Sequence, residues 1–168
     1  MGKIHLITGE GAGKTSSALG IAARALGHGK KVVIIQFMKG RSDVGEYRFF
    51  SKRKGCTIKQ FGAKSFVNLK HPSDKDRWLA LEGMVVAKEL LKRKPFLMIL
   101  DEINLAASIG LVDERDVLQM LKSRPKGTSI YLTGRRAPKS FIHASDFATE
   151  VKEIKYPRKV YTKEGICF

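Results

Sequence analysis

The chain has 168 residues, 43% of them hydrophobic and 29% charged, and its 32 Lys and Arg against 16 Asp and Glu give a formal charge of +16. That length predicts one domain with a single core and leaves no room for a second enzyme domain. No apolar run approaches the roughly 18 residues of a membrane span, and no signal-peptide pattern opens the chain. The two cysteines, Cys56 and Cys167, lie too far apart for a zinc motif or a disulfide framework. The expectation is a cytoplasmic protein with two reduced thiols, attracted to polyanions by its charge.

Short β-branched runs at 3–7, 31–38, 57–61, 96–100, 128–132 and 147–154 alternate with helical patterns. This predicts an α/β domain over residues 1–168, a mainly parallel sheet with crossover helices on both faces. Between the first two runs Leu19, Ala22, Ala23 and Leu26 recur at helical steps, and Gly27 ends that helix. A long helix is predicted from Ser73, its N-cap, to about residue 93, burying Trp78, Leu81, Met84, Val85, Ala87 and Leu91 before Pro95 stops it. Another runs from about Asp113 to Ser123, turns Val117, Met120 and Leu121 inward, and ends before Arg124-Pro125.

The residues that carry chemistry cluster after the first run. Thr8-Gly9-Glu10-Gly11-Ala12-Gly13-Lys14-Thr15, with Ser16 following, stands between a strand and a helix, the setting of a phosphate-binding loop. Glycine angles let the N–H groups of Gly9, Gly11 and Gly13 turn toward phosphate oxygens, while Lys14 adds a charge and Thr15 a hydroxyl for Mg2+. Thr8 departs from the common pattern, which has glycine there. The fourth run delivers Asp101 and Glu102 to its C-terminal end, where open α/β sheets bind ligands, so both are metal candidates. Leu132-Thr133-Gly134-Arg135 repeats this geometry, and Arg135 reads either as a phosphate clamp or as a solvated arginine at a turn. For Arg24, surface and nucleotide-packing readings both stand.

Taken together these motifs resemble those of the P-loop, RecA-like ATP:corrinoid adenosyltransferases over nearly the whole chain. The loop shares that family's missing first glycine. Ala22-Ala23-Arg24-Ala25, Gly27-His28-Gly29-Lys30, Gln36-Phe37-Met38-Lys39-Gly40, Gly45-Glu46, Leu100-Asp101-Glu102-Ile103-Asn104, Arg124-Pro125 and Leu132-Thr133-Gly134-Arg135 follow in the family's order. The resemblance implies transfer of the 5'-deoxyadenosyl group of ATP to the Co(I) of cob(I)alamin or a related corrinoid, with triphosphate leaving. It also implies Mg2+, a reductase as electron donor, and a homodimer. Lys14, Glu102 and Arg135 would then serve the reaction; Thr15, Asp101 and Glu102 the metal; residues 8–16 and Arg24 the nucleotide; and Phe66 the corrinoid.

Some segments depart from the family pattern. In Gly62-Ala63-Lys64-Ser65-Phe66-Val67-Asn68 the phenylalanine is kept, but Asn68 replaces a tryptophan, and Lys155-Tyr156-Pro157-Arg158-Lys159 replaces a late lysine-histidine motif. An N-terminal extension of longer members is missing. Two other functions compete. Arg48, Lys52, Arg53 and Lys54 interleave with Tyr47, Phe49 and Phe50, as in a basic ATPase that binds single-stranded nucleic acid, although a solvated helix face with its aromatics in the core is the favoured reading. A thymidine-kinase-type enzyme would share the loop and the Asp-Glu strand end, but two isolated cysteines cannot supply its zinc element.

Overall fold

The computed structural model describes residues 1–157 and 162–166; Arg158, Lys159 and Cys167 lie outside them. Six strands form one sheet: β1 (Ile4–Thr8), β2 (Val32–Phe37), β3 (Cys56–Phe61), β4 (Leu97–Asp101), β5 (Ser129–Thr133) and β6 (Phe147–Glu150). Their order is β3-β2-β4-β5-β1-β6 and every pairing is parallel. β2 and β4 are buried at every position. That is why they read as unbroken apolar runs, for a parallel sheet is covered on both faces.

Alternate strand residues feed two cores. Val33, Ile35, Phe37, Met98, Leu100, Ile130 and Leu132 face α3 (Asp74–Lys92), α4 (Ile103–Ser108), α5 (Glu114–Lys122) and α6 (Lys139–Ala144). Val32, Ile34, Ile58, Leu97 and Ile99 face α1 (Lys14–Gly27) and Phe50 of α2 (Gly45–Phe50). α1 ends at Gly27 as expected, with Gly29 taking the left-handed angle (φ 66) just beyond. Ser73 caps α3 through a reciprocal capping box with Asp76, and Asp113 caps α5 by accepting from the Arg115 N–H.

Two expectations are corrected. Met84, Ala87 and Leu91 of α3 are buried, but Trp78, Leu81 and Val85 are 61%, 56% and 61% exposed. The helix seats Ala80, Gly83, Met84, Ala87 and Leu90 instead, because a Cβ on Gly83 would stand 2.9 Å from the Phe37 ring and 3.0 Å from that of Phe61. Small residues let the helix lie close to the sheet and leave the larger ones beside the contact. The last strand stops at Glu150 rather than 154 because the chain leaves the sheet there to cross the glycine loop. Helices α2, α4 and α6, of six residues each, are too short for a periodic pattern to declare them.

Candidate active site

β1 ends at Thr8, and the chain turns through Gly9 (φ 99) and Gly13 (φ 101), angles that favour glycine, before α1 starts at Lys14. Gly11 is required for a different reason. Its N–H donates to the Val151 carbonyl at 2.9 Å, and a Cβ there would lie 2.9 Å from that same oxygen and from the Lys152 carbonyl carbon. Of the three glycine N–H groups expected to face phosphate, this one is already committed to the segment beyond β6.

A cleft of ≈ 450 Å³ opens above the loop. It is lined by residues 10–16, by Glu102 and Arg135 beyond the ends of β4 and β5, and by Glu153 and Tyr156 after β6. Lys14 is buried, and its Nζ donates to the Gly11 carbonyl at 2.6 Å. Burial, with the nearby Arg135 charge, pulls its pKa below the usual lysine value, while Glu102, Glu10 and Glu153 oppose the shift. A poorly solvated ammonium of this kind gains strongly from an anion. At the mouth Arg135 Nη1 lies 3.3 Å from Glu10 Oε2, and both side chains are more than half exposed. Such a pair contributes little to stability and is readily exchanged for a phosphate.

Beneath the cleft Asp101 is fully buried and uses both carboxylate oxygens. Oδ1 accepts from Thr15 Oγ1 at 2.8 Å and Thr133 Oγ1 at 2.6 Å; Oδ2 accepts from Gln36 Nε2 at 3.0 Å and Lys39 Nζ at 2.8 Å. Gln60 Nε2 in turn donates to Gln36 Oε1 at 3.0 Å. Gln60, Gln36 and Asp101 are direct register partners on β3, β2 and β4, so a polar row crosses the sheet at its C-terminal end. Burial alone would raise the Asp101 pKa, but the Lys39 charge and the hydrogen bonds from Lys39, Thr133 and Thr15 hold it below the usual carboxylate value.

Asp101 and Glu102, which the sequence leaves equivalent, have different surroundings. Glu102 takes a left-handed backbone (φ 62), and its carboxyl lines the cleft with Lys14 and Arg135. Burial, followed by the Asp101 charge, raises its pKa. Asp101 and Thr15 together fit a divalent cation, since the Lys39 ammonium already stands as a cation 2.8 Å from one and 3.4 Å from the other. No three His, Cys, Asp or Glu side chains converge among the described residues. Mg2+ needs no such cage, for it takes one or two protein ligands with phosphate and water.

A family model for the ATP:corrinoid adenosyltransferases BtuR/CobO/CobP matches residues 1–168. The chain belongs to that family. It is 34% identical over 170 residues to the corrinoid adenosyltransferase of Pseudomonas aeruginosa, covering 99% of this chain and 84% of that protein. The corrinoid adenosyltransferase of Escherichia coli K12 is 31% identical over 156 residues, covering 92% and 79%. Among solved structures a KaiC-like protein from Pyrococcus horikoshii superposes with a TM-score of 0.59 at 17% identity, over 93% of this chain and 74% of that one. This likeness concerns the fold alone, and it bears out the RecA-like α/β architecture expected of the family.

Against the family expectation, nucleotide candidates 10–16 meet in the cleft, whereas Thr8, Gly9 and Arg24 do not line it and the corrinoid candidate Phe66 lies elsewhere. Arg24 is exposed on α1, outside the cleft wall and close enough to Tyr131 to influence its hydroxyl. Phe66 is fully exposed on the rim of a second cavity of ≈ 260 Å³ that Lys39, Glu46, Gln60 and Ser65 also line. In the basic-aromatic stretch Phe50 enters the core, Tyr47 packs against it, and Phe49 lies under the Arg53 guanidinium at 4.0 Å. The helix-face reading holds only in part: Phe50 is in the core, but Phe49 is exposed, and Lys52, Arg53 and Lys54 follow the end of α2 in a turn. Burial pushes the Cys56 thiol up to about 11, so it stays protonated.

The sequence alone does not tie Gln36, Lys39 and Thr133 to Asp101, or Gln60 to Gln36. Gln36 carried a signal, as the one polar side chain in the run Val32-Val33-Ile34-Ile35-Gln36-Phe37. A buried amide needs a partner, and the end of a neighbouring strand is where to seek it.

Proposed function

We propose that the protein transfers the 5'-deoxyadenosyl group of ATP to the Co(I) of a reduced corrinoid and releases triphosphate. The observation that carries this reading is the family match over the full chain, joined to the 2.8 Å hydrogen bond that closes the phosphate loop onto β4 through Thr15 and Asp101. The bond that forms is cobalt to C5', and the one that breaks is C5' to the triphosphate oxygen, which departs with the electron pair. Co(I) is itself the nucleophile, so the protein has to position C5', exclude water and receive negative charge. Lys14, the loop N–H groups still free and Arg135 receive the triphosphate. Thr15 and Asp101 would hold Mg2+, which when bound neutralises phosphate charge. Glu102, with its raised pKa, faces the same phosphates from across the cleft.

The cavity beside Phe66, which shares Lys39 and Glu46 with a third cavity lined also by Thr15 and Ser16, is the proposed place for the corrinoid. An electron donor that keeps cobalt reduced and a homodimer belong to the same proposal. The exposed stripe Trp78, Leu81 and Val85 supports the homodimer, since contiguous apolar side chains favour burial. Incubation with ATP, Mg2+ and a chemically reduced corrinoid should yield the cobalt-carbon product by absorbance and triphosphate by phosphorus NMR. Release of ADP without a cobalt-carbon bond would refute the reading. Lys14→Ala should lower kcat/KM by on the order of a hundredfold, about 3 kcal/mol, as when other charge-stabilising donors are removed.

A further inference from the structure

Lys39 sits on a turn that holds it firmly. β2 ends at Phe37, Met38 takes a left-handed angle (φ 56), and Gly40 lies backbone to backbone against Gly62. A Cβ on Gly40 would stand 2.1 Å from the Gly62 carbonyl oxygen, and one on Gly62 would stand 2.3 Å from the Met38 carbonyl carbon. Neither neighbour can yield, because both are backbone. The turn aims the Lys39 side chain back across the end of the sheet, where its ammonium lies 2.8 Å from Asp101 Oδ2 and 3.4 Å from Thr15 Oγ1. These are the two groups to which the proposed function gives Mg2+, and the role of Lys39 rests on that assignment.

We propose that Lys39 is a tethered counter-cation that holds the Asp101–Thr15 site in the nucleotide-free protein, competes with free divalent ions, and withdraws when the metal arrives on ATP. A buried carboxylate must be paired, and here the chain supplies the partner itself. One cation on a short tether meets a divalent ion at a large effective concentration, so the free ion binds weakly. With ATP the balance changes, because the phosphates bring further oxygens to the metal and are held independently by the loop and Lys14. The displaced ammonium has a second acid within reach. Glu46 attracts Lys39, though less than Glu102 does, and Glu46 and Lys39 line the same two cavities, one beside Phe66 and the other beside Thr15 and Ser16. Loading the metal thus moves a positive charge toward the wall of the second cavity.

The probe is Mn2+ alone, titrated into nucleotide-free protein and followed by electron paramagnetic resonance. Lys39→Met should bind Mn2+ at least tenfold more tightly than wild type, and Mn2+ should raise the Tm of that variant while leaving wild type unmoved; Lys39→Arg, which keeps the charge, should stay weak. Equal affinities in wild type and a folded Lys39→Met would overturn the proposal. In the wild-type chain with 13C-labelled lysine, the Lys39 Cε resonance should shift when Mg2+ joins saturating ATP and stay in place with ATP in EDTA. A resonance indifferent to the metal also overturns it, even if the methionine variant does not fold. ATP binding in the same samples separates the two readings. Without it the nucleotide site itself is refuted, and with it an unchanged Mn2+ affinity refutes only the role of Lys39.

Discussion

Asp101 is adjacent to Glu102 in the chain and ion-paired with Lys39, yet the three respond to pH with different signs. The Asp101 pKa is lowered from 3.8, so its contribution to stability is complete above that value and is lost as pH falls through the folded-state value. The Lys39 pKa is raised from 10.5, where Asp101 outweighs burial, so its contribution is complete below 10.5 and is lost at higher pH. Glu102 runs the other way. Its raised pKa means that ionising it in the fold costs stability, a loss that sets in above 4.5 and is complete once pH passes the folded-state value. Glu102→Gln is therefore expected to match wild type in Tm near pH 4 and to exceed it near pH 8. A gain of equal size at both pH values would show that the carboxyl is not titrating in the fold. Asn104 makes a different kind of contribution. Fully buried, it donates through Nδ2 to the carbonyls of Ile7 and Gly134 at 3.2 Å each, tying the end of β1 to the turn beyond β5. Asn104→Ala leaves both carbonyls without that donor and should cost about 2 kcal/mol in urea unfolding. A loss within experimental error would mean that water replaces the amide.

At the level of elements, the loop between β1 and α1 is shaped from two sides. Gly9 and Gly13 shape it from within, and the segment after β6 braces it from outside, with Val151 N–H donating to Thr8 O at 2.8 Å and Gly11 N–H donating to Val151 O. Gly11→Ala forces backbone against backbone at the 2.9 Å contacts, so this brace must give way. Roughly 2 kcal/mol of stability should be lost, a usual figure for overpacking, together with a weakening of ATP binding measurable by calorimetry. If stability falls while ATP affinity holds, the brace is structural only. Such a contact also separates what could be read from sequence from what could not. β1 to β5, α1, α3 and α5 are legible because each repeats an apolar period over several turns or residues, whereas β6 is exposed at all four positions and its end is not; that Lys14, Thr15 and Asp101 come together is legible because strand-loop-helix chemistry is local. The brace joins residues 140 positions apart, and nothing in either segment declares the other. The α3 error has a similar source, for periodicity gives a helix an apolar arc but not the close approach at Gly83 that decides which part of it faces the sheet. Gln36 was legible in principle, since an amide within a buried strand demands a partner, whereas Lys39 depended on the interlocked turn at Gly40 and Gly62.

Over the whole molecule the charge of +16 meets a cleft whose lining, among the described residues, is not basic. Its lining carries Glu10, Glu102 and Glu153 against Lys14 and Arg135, three formal negatives and two positives, and the Asp101–Lys39 pair below adds nothing net. A triphosphate approaching this cleft is therefore expected to be drawn by the field of the surrounding surface more than by the residues proposed to hold it. Fields of this kind accelerate association and are screened by salt, with a Debye length near 8 Å at physiological ionic strength. The association rate of a fluorescent ATP analogue in stopped flow should fall by about tenfold from low to physiological salt, as expected of steered encounters, while its dissociation rate changes much less. Lys52→Glu with Lys54→Glu, at exposed positions outside the cleft lining, should lower the association rate at low salt and leave kcat unchanged. An association rate indifferent to both salt and these substitutions would leave the surplus charge without a role in ATP capture. Single-stranded DNA separates the remaining explanation. If the charge serves nucleotide steering, an oligonucleotide competes with ATP only at low salt and does not stimulate ADP formation, whereas a nucleic-acid-dependent ATPase would show stimulation that survives to physiological salt.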